Sequence, residues 1–205
     1  MMDLTPGLEL GARFSLIRRL GSGGTSEVWL ADDATRGEQV ALKIFMRADP
    51  GLVARLEVER AHVQSLGGDH AVPIHDVLRV EDLTLVVMEF QEGGDLGQFR
   101  GRSFESWKQS ADDVIAALAA AHAQNLVHRD LKCGNVLLDA SGRARLADFG
   151  LAAVVDGPAP QGGSPYNASP QQLRGEPVAR RLPRHLTART QGAQRGAMRL
   201  VQARL

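Results

Sequence analysis

One stretch of the chain, VHRDLKCGNVLLDASGRARLADFG at 127–150, constrains its fold more than any other feature. It sets Asp130 beside an arginine, a carboxamide at Asn135, and a second carboxylate at Asp148 ahead of Phe-Gly. Three polar side chains that act together must be held in place by a folded structure around them. With 205 residues, of which 43% are hydrophobic, the chain is large enough for one core or for two small lobes that share a cleft.

The formal net charge of zero hides a split along the sequence. Residues 1–176 hold 17 basic and 24 acidic side chains, whereas 177–205 hold seven Arg and no acid. We therefore expect an Arg-rich tail at 178–205 that is disordered or the product of a reading-frame shift. A competing interpretation is a basic extension that contacts nucleic acid or anionic lipid. Nucleic acid is the less favoured partner, because the tail has no interleaved aromatic side chain and no amphipathic face.

The sequence contains no candidate for export or for membrane insertion. Its longest apolar stretch, 114–121, is far too short to cross a bilayer, and no apolar run near the start resembles a signal peptide. A single cysteine, Cys133, excludes an internal disulfide and fits a reducing compartment. These features predict a cytoplasmic protein with no membrane segment in this chain. The six histidines show no metal-ligand spacing, so no zinc site is expected.

The N-terminal part of the chain predicts a sheet with one helix. Alternating apolar residues in FSLIRRLGSGGTSEVWLADD predict two strands around a glycine-rich turn, and EQVALKIF predicts a third strand. A helix is expected at about 52–66, and AVPIHDVLRV with LTLVVMEF predicts a hairpin. The glycine-rich QEGGD then ends the segment, so we expect an N-terminal lobe that closes near residue 92.

The part that follows predicts a long helix and two short strands. An Ala-rich segment at 104–125 is the strongest helix prediction in the chain, with an apolar stripe along one side. The stripe consists of Trp107, Val114, Leu118 and Ala121. Short strands are predicted at 136–138 and 143–147, inside the stretch that opened this section.

Two features of the N-terminal part are able to bind phosphate. The loop LGSGGTSEV brings flexible backbone N–H groups between two strands, and Val28 after it is able to cover a planar base, although a tight turn explains the loop as well. Lys43 lies among apolar strand residues and needs an anionic partner, for which the helix offers Glu57 and Glu59. A solvated lysine at a strand edge is the alternative.

The polar residues of the opening stretch match the needs of phosphoryl transfer. That reaction needs a carboxylate to accept the proton of the attacking hydroxyl, oxygen ligands for Mg²⁺, and a cation near the developing charge. Asp130, Asn135 with Asp148, and Lys132 supply these in turn. The alternative, that both carboxylates are turn residues, requires the whole ordered set to arise by chance.

Together these motifs resemble a bacterial protein kinase of the eukaryotic-like (Hanks-type) Ser/Thr class, over about residues 10–176. The resemblance implies an α+β fold of two lobes with ATP in the cleft: a β-rich N-lobe with one helix at 10–92, and an incomplete helical C-lobe at 93–177. It also implies transfer of the γ-phosphoryl group of Mg-ATP to Ser or Thr hydroxyls of a protein substrate, with ATP and Mg²⁺ bound.

The resemblance also assigns a role to each site residue. Asp130 is the catalytic base, and Lys132, two places later as in Ser/Thr kinases, lies near the transferred group. Asn135 and Asp148 are the Mg²⁺ ligands. Lys43 holds the α- and β-phosphates, with Glu59 preferred to Glu57 as its helix partner. The remaining ATP-site positions, which cover the phosphates, sandwich the adenine, or form the gatekeeper and hinge, are Leu20, Gly21, Ser22, Gly23, Gly24, Val28, Ala41, Leu137, Met88, Glu89 and Gln91.

Three neighbouring positions are expected to be structural. His128 and Phe149 match apolar-core positions of the family, and neither is counted as catalytic. Cys133 stands where many relatives have proline. A redox-sensitive thiol is one interpretation of Cys133, and a passive small residue is the preferred one.

The sequence departs from the family pattern after Phe149. The segment up to Gly163 has no Ser, Thr or Tyr, so phosphate-driven ordering of this loop depends on Ser164 or on a fixed charge at Asp156, or the loop is constitutive. Gln171 replaces a Glu of the family, and no later C-lobe helices follow. We therefore expect a C-terminally truncated kinase. The alternatives are an ATP-binding remnant that transfers nothing, and a non-catalytic interaction module that uses the basic tail.

Overall fold

The computed structural model describes residues 3–46 and 51–149, and the backbone of 153–154. Described residues of Met1–Ser65 and Val72–Gln91 form a first unit, and those of Leu66–Ala71 and of the part after Gln91 form a second. The predicted activation segment, with Asp156, Ser164 and Gln171, and the predicted Arg-rich tail lie outside the described residues. No helix in the described ranges is long and apolar enough to cross a membrane.

The first unit is a six-stranded antiparallel sheet with one helix. Its strands are β1 (Glu9–Leu10), β2 (Phe14–Ser22), β3 (Ser26–Asp33), β4 (Glu38–Phe45), β5 (Ile74–Val80) and β6 (Leu83–Glu89). They lie in the order β1-β2-β3-β4-β6-β5. The helix, α1 (Leu52–Leu66), buries Leu56, Val63 and Leu66 on one side. These elements confirm the strands, the hairpin and the helix predicted for the N-terminal part.

The sheet curls until its two edges meet. Arg13, in the turn between β1 and β2, donates from Nη1 to Asp76 Oδ2 of β5 at 3.1 Å. In the same turn, a methyl group added to Gly11 would lie 3.1 Å from Cγ1 of Val80. Arg13 also forms a two-pronged ion pair with the fully buried carboxylate of Asp33, at 2.9 and 2.8 Å. The curled sheet therefore encloses its own core, and charged side chains fasten the seam.

The enclosed core uses one face of the sheet. Trp29, Leu42 and Val87 are opposite one another on three adjacent strands and are at most 4% exposed. Leu4 and Leu10, near the start of the chain, belong to the same core cluster. Because successive side chains of a strand point to opposite faces, Val28, Lys43 and Val86 are opposite one another on the other face.

The second unit is built around one helix and a small hairpin. Helix α2 (Lys108–Ala123) is followed by β7 (Leu126–Val127), β8 (Val136–Leu138), β9 (Ala144–Leu146) and β10 (Ala153–Val154). Strands β8 and β9 form an antiparallel hairpin, and β7 pairs with β10. The described part of the chain thus has the predicted α+β class, with a sheet-rich first unit and few helices after it.

Helix α2 is shorter than predicted at both ends. The predicted range 104–125 begins in a 3₁₀ turn at Phe104–Ser106, and Trp107 then takes φ −131°, which is outside the helical region. The apolar spacing of Phe104 and Trp107 fits a 3₁₀ turn as well as an α-helix, which explains the error. At the other end Asn125 adopts a positive φ of 57°, a left-handed conformation that stops the helix.

Candidate active site

The face of the sheet opposite the enclosed core carries the predicted ATP residues of the first unit. Val28 of β3 pairs with Lys43 of β4, and Ala41 of β4 pairs with Met88 of β6. Directly paired residues of neighbouring strands share a face. The sheet register therefore brings Val28, Ala41, Lys43 and Met88 together. Lys43 Nζ also lies 5.5 Å from the ring centroid of Phe45, which is two residues along the same face.

The predicted glycine-rich loop is the tip of the β2–β3 hairpin. Leu20, Gly21 and Ser22 are the last residues of β2, and Gly21 pairs with Val28. The turn is closed by the Gly23 N–H, which donates to the Ser26 carbonyl at 2.8 Å. Ser22, Gly23 and Gly24 are exposed. An exposed tip without bulky side chains is suited to close approach by a phosphate group.

Helix α1 distinguishes the two glutamates that the sequence offered as partners for Lys43. Glu59 is on the buried side of the helix and is only 7% exposed. Glu57 is exposed and forms an ion pair with Arg60, with Arg60 Nε and Glu57 Oε2 3.3 Å apart. A buried carboxylate requires a cationic or hydrogen-bonding partner, whereas an exposed one does not. This burial supports Glu59 as the site residue.

The predicted hinge residues follow strand β6. The backbone N–H of Glu89 donates to the Pro73 carbonyl at 3.0 Å, and Gln91 Nε2 donates to Glu89 Oε1 at 2.9 Å. Gln91 is 5% exposed. These contacts fix the side chains of Glu89 and Gln91 to one another at the end of the first unit.

In the second unit the predicted catalytic residues are in direct contact. Lys132 Nζ donates to Asp130 Oδ2 at 2.6 Å, and Asn135 Nδ2 donates to the same oxygen at 3.0 Å. Asn135 Nδ2 also donates to the Asp130 backbone carbonyl at 2.9 Å. The Asp130 carboxylate is only 8% exposed, so these charged and polar donors hold it where water contributes little. Asp130 is thereby fixed through both its side chain and its backbone.

His128 has a role that the sequence prediction missed. It is 2% exposed, and its ring stacks against Phe149 with centroids 4.6 Å apart, which confirms the predicted core positions. In addition the Asp130 backbone N–H donates to His128 Nδ1 at 3.3 Å, and His128 Nε2 lies 2.9 Å from the Ala147 carbonyl. Nδ1 therefore accepts, and Nε2 carries the proton and donates. The neutral ring joins the backbone of Asp130 to the residue before Asp148.

Burial lowers the pKa of His128 below its ordinary value of 6.5, which keeps the ring neutral near pH 7. The free energy of unfolding is expected to fall as the pH drops below about 6.5, because the unfolded chain takes up a proton that the folded ring resists. The contribution of one such group is at most about 1.4 kcal/mol per pH unit. Urea unfolding at several pH values measures this slope.

A His128→Gln variant tests the assignment of this slope. The variant removes one titrating ring, so its slope between about pH 6.5 and pH 5 is expected to be shallower than that of the wild type. His75 and His122, whose pKa values burial also lowers, account for part of the slope that remains. An unchanged slope in the variant would show that another group titrates instead.

The two predicted metal ligands both lie at the open end of the β8–β9 hairpin. Asn135 immediately precedes β8, and Asp148 follows β9 by two residues. The last rung joins them closely, since the Ala147 N–H donates to the Asn135 carbonyl at 2.9 Å. Asp148 has a positive φ of 62°, an uncommon conformation for a residue with a side chain. Leu137, predicted to contact adenine, lies within β8 and is half-buried.

These residues suit Mg²⁺ by the chemistry of their donor atoms. The amide nitrogen of Asn135 is committed to Asp130, which leaves Oδ1 as the atom of that side chain able to bind a cation. With the carboxylate of Asp148 it offers oxygen ligands only, and Mg²⁺ is commonly held by one or two such groups together with substrate phosphates. Within the described ranges no group of three His, Cys, Asp or Glu side chains is placed to hold a metal.

Cys133 lies in the same loop as Asp130 and Asn135 and is assigned no role in the proposed reaction. It is half-buried, and burial raises the pKa of its thiol above the ordinary value. A raised pKa keeps the thiol protonated and unreactive near neutral pH. This supports the interpretation of Cys133 as a passive small residue.

A fixed carboxylate with a lysine and a carboxamide, next to a hairpin whose open end carries the two predicted oxygen ligands, fits the needs of phosphoryl transfer. Comparison with known sequence families agrees, since the model of the protein kinase domain matches residues 14–181. The chain therefore belongs to the protein kinase domain family.

The curated relatives come from bacteria, plants and yeasts. The chain is 30% identical over 181 residues to the serine/threonine-protein kinase PrkC of Bacillus subtilis (strain 168), covering 82% of this chain and 28% of PrkC. It is 35% identical over 184 residues to CBL-interacting protein kinase 4 of Oryza sativa subsp. japonica, covering 82% and 40%. It is 33% identical over 191 residues to the serine/threonine-protein kinase Pkn1 of Myxococcus xanthus, covering 86% and 27%.

Two of these relatives are named serine/threonine-protein kinases, and the family match agrees with the protein kinase resemblance predicted from the motifs. The match spans between 27% and 40% of the length of these three relatives. Most of the length of each of these relatives is therefore unmatched.

Proposed function

We propose that this chain binds Mg-ATP and transfers its γ-phosphoryl group to a Ser or Thr hydroxyl of a protein substrate. The observation that carries the proposal is the loop in which Lys132 and Asn135 both donate to one carboxylate oxygen of Asp130. A base that is held in one orientation acts without first paying for reorganisation. The family and the names of its relatives support the same reaction.

Asp130 orients the attacking hydroxyl and accepts its proton as the new O–P bond forms. At the same time the bond between the γ-phosphorus and the bridging oxygen of ATP breaks, and ADP leaves with that oxygen. Lys132 places its ammonium group beside this carboxylate, where it stabilises the negative charge that develops on the transferred group. His128 holds the backbone of Asp130 and is not itself a base, because its Nδ1 is occupied by the Asp130 N–H. The lysine two residues after the base follows the Ser/Thr pattern, and we therefore propose Ser or Thr as the acceptor.

Asn135 Oδ1 and the Asp148 carboxylate would hold Mg²⁺. When bound, the ion would neutralise charge on the phosphate oxygens, which favours attack on the γ-phosphorus and departure of ADP. The protein contributes the fixed spacing of its two ligands, which the Ala147–Asn135 hydrogen bond maintains at the open end of the hairpin.

The first unit would bind the rest of ATP. We assign the α- and β-phosphates to Lys43, supported by Glu59, because a buried glutamate is suited to hold a lysine in place. The phosphates would be covered by the exposed tip of the β2–β3 hairpin, and the adenine by apolar side chains and the hinge. These positions in the first unit are Leu20, Gly21, Ser22, Gly23, Gly24, Val28, Ala41, Met88, Glu89 and Gln91. Leu137, which we also assign to the adenine, belongs to the second unit.

The finer classification rests on the same relatives. We infer a kinase of the bacterial eukaryotic-like class, supported by the matches to PrkC and Pkn1. A cytoplasmic location is proposed because the chain has a single cysteine and its substrate, ATP, is a cytoplasmic metabolite.

The proposal is tested by incubating the purified chain with γ-labelled ATP, Mg²⁺ and a generic Ser/Thr substrate protein such as casein. We expect label on Ser and Thr, none on Tyr, and none when EDTA removes the metal. We also expect Mg-ATP to raise the Tm. The free energy of unfolding should increase by about 2.7 kcal/mol when the free ligand is at 100 times its Kd.

Each alternative predicts a different result. Thermal stabilisation by Mg-ATP without any transfer of label would contradict the proposed reaction and would identify an ATP-binding remnant. A chain that shows neither effect, yet binds nucleic acid or anionic vesicles through residues 178–205, would instead be a basic interaction module.

A further inference from the structure

A buried carboxylate joins helix α2 to the hairpin that carries the proposed metal ligands. Asp113, in the middle of α2, is 7% exposed. It accepts two hydrogen bonds from Arg143 Nε, at 3.0 and 2.9 Å, and lies 2.7 Å from Arg143 Nη2. It also accepts from the backbone N–H of Ala144, the first residue of β9, at 3.0 Å. Helix α2 is therefore bound to strand β9 through Asp113, which contacts both the side chain of Arg143 and the main chain of Ala144.

The geometry of this contact is that of a strong ion pair. Arg143 presents the flat edge of its guanidinium to both oxygens of Asp113, the two-pronged arrangement that gives the greatest rigidity. Gln109, one turn earlier on α2, donates to Asp113 Oδ1 at 3.0 Å. Burial by itself would raise the pKa of Asp113, but these donors outweigh burial and hold the pKa below its ordinary value. The carboxylate is therefore charged at neutral pH.

The turn of the hairpin is ordered by a second carboxylate. Asp139 Oδ1 accepts from the backbone N–H groups of Ser141 and Arg143, at 2.9 and 3.0 Å. The same oxygen accepts from the Ser141 hydroxyl at 2.7 Å. Asp139 thus fixes the shape of the turn, whereas Asp113 fixes the hairpin to the helix.

The grip of Asp113 reaches the metal ligands through a short path of hydrogen bonds. Ala144 begins β9, which pairs with β8 through Val136 opposite Leu146 and ends where the Ala147 N–H meets the Asn135 carbonyl. A third support comes from the loop before β5, since the Leu146 N–H donates to the His70 carbonyl at 2.9 Å. A continuous path of hydrogen bonds therefore connects Asp113 to the residues beside Asn135 and Asp148.

We propose that Asp113 and Arg143 are positioning residues that set the spacing of the two Mg²⁺ ligands from behind the hairpin. This inference rests on the proposed function, because it concerns the metal that the proposed reaction needs. Neither residue touches a reacting atom in this proposal. Both act only by holding β9 against α2, as outer partners of metal ligands commonly do.

The test compares the affinity for ATP in excess Mg²⁺ with the affinity in excess EDTA, by isothermal titration calorimetry on the full chain. The ratio of the two affinities measures how well the protein uses the metal. In Asp113→Asn we expect this ratio to fall about tenfold, the lower end of the effect of outer partners on metal affinity. The affinity in EDTA is expected to stay at its wild-type value, because the ATP-binding residues of the first unit are unchanged.

Asp112→Asn is the matched control. Asp112 is the adjacent residue on the same helix, and its replacement by Asn removes the same charge. It pairs with the exposed Lys108 at 3.0 Å. It is expected to keep the wild-type ratio. A fall of the ratio in Asp112→Asn equal to that in Asp113→Asn would overturn the proposal, as would an equal loss of affinity in Mg²⁺ and EDTA.

A second variant approaches the pair from its exposed side. Arg143 has a side chain that is 58% exposed, so Arg143→Lys changes little of the core. It keeps the positive charge and the backbone bond to Asp139 but loses the planar fork. We expect a partial fall of the Mg²⁺ ratio, smaller than in Asp113→Asn. A wild-type ratio in both Asp113→Asn and Arg143→Lys would refute the proposal.

Amide hydrogen exchange without nucleotide provides a readout that does not depend on catalysis. In Asp113→Asn we expect exchange at Ala144 and Ala147 to be about tenfold faster, because the rungs near the broken contact open more often. Unchanged exchange at both amides would count against the proposal. If the wild-type chain binds ATP more tightly in Mg²⁺ than in EDTA but transfers no phosphate, the proposed reaction fails. The inference about Asp113 is then still supported, provided that Asp113→Asn lowers the ratio and Asp112→Asn does not.

Discussion

Replacement of Asp130 by Asn is expected to lower kcat for phosphate transfer by about 100- to 10,000-fold, the usual contribution of a general base. Asn has nearly the same shape as Asp but cannot accept a proton. Its side-chain oxygen is still able to accept a hydrogen bond from Lys132. The fold is therefore retained while the chemistry is lost. Steady-state kinetics with γ-labelled ATP measures the effect.

Two measurements distinguish loss of the base from loss of structure. The affinity of the Asp130→Asn variant for Mg-ATP is expected to remain within a few-fold of the wild type, because Asp130 is assigned neither to nucleotide nor to metal. Asp112→Asn, which removes a partly exposed carboxylate from the same unit, is expected to keep full activity. Wild-type kcat in Asp130→Asn would exclude Asp130 as the base.

Replacement of Gly93 by Ala is expected to destabilise the protein by about 3 kcal/mol, at the upper end of the usual cost of overpacking. A Cβ atom at this position would lie 2.6 Å from the Asp139 carbonyl oxygen and 2.8 Å from the Leu138 carbonyl oxygen. Both are main-chain atoms of the hairpin segment and cannot rotate away. The Gly93 N–H also donates to the Leu138 carbonyl at 2.9 Å, so relief of the clash breaks this bond. Calorimetry should show a Tm lowered by roughly 6 to 12 °C.

Two other glycines provide graded controls. Gly94 has a positive φ of 75° but no close backbone neighbour, so Gly94→Ala is expected to cost about 1–2 kcal/mol from backbone strain alone. An added Cβ on Gly134 would meet nothing within 4 Å, and Gly134→Ala is expected to change stability by less than about 0.5 kcal/mol. Equal Tm values for the three variants would contradict the packing argument.

Local patterns were sufficient to predict most elements of the described chain. Alternation in EQVALKIF predicted strand β4 with its observed bounds, and helical spacing predicted α1 at 52–66. The spacing of Asp130, Lys132 and Asn135 in one loop placed the three residues in the same predicted site, whereas the hydrogen bonds among them were found only in the structure. In each case the residues that interact are close in sequence, so the pattern itself contains the information.

Contacts between distant segments were not predictable in this way. Asp113 and Arg143 are 30 residues apart, and each reads in the sequence as an ordinary charged surface residue. Only the fold shows that Asp113 is buried and that β9 lies against it. The position of Leu4 in the core of the first unit was missed for the same reason, since nothing near Leu4 indicates which surface it covers.

The role of His128 illustrates an intermediate case. Its motif position correctly predicted burial, but a core position does not reveal which hydrogen bonds the ring makes. These bonds depend on Ala147, which lies 19 residues later. The choice between Glu57 and Glu59 was similar. The two residues lie on different sides of α1, and the sequence does not show which side is buried until the surface that faces the helix is known.

The two faces of the curled sheet have different roles, and these roles alternate from one residue to the next along each strand. Neighbours along one strand, such as Leu42 and Lys43, answer to different selective pressures: Leu42 maintains the fold, and Lys43 is assigned to the nucleotide. Mutational tolerance along β3, β4 and β6 should therefore alternate with a period of two between loss of folded protein and loss of function. Insertion of a single residue into β4 would exchange these roles and place a lysine in the sealed core. Substitutions on the face assigned to the nucleotide are therefore expected to leave the core intact. A one-residue insertion or deletion within a strand is expected to disrupt both faces.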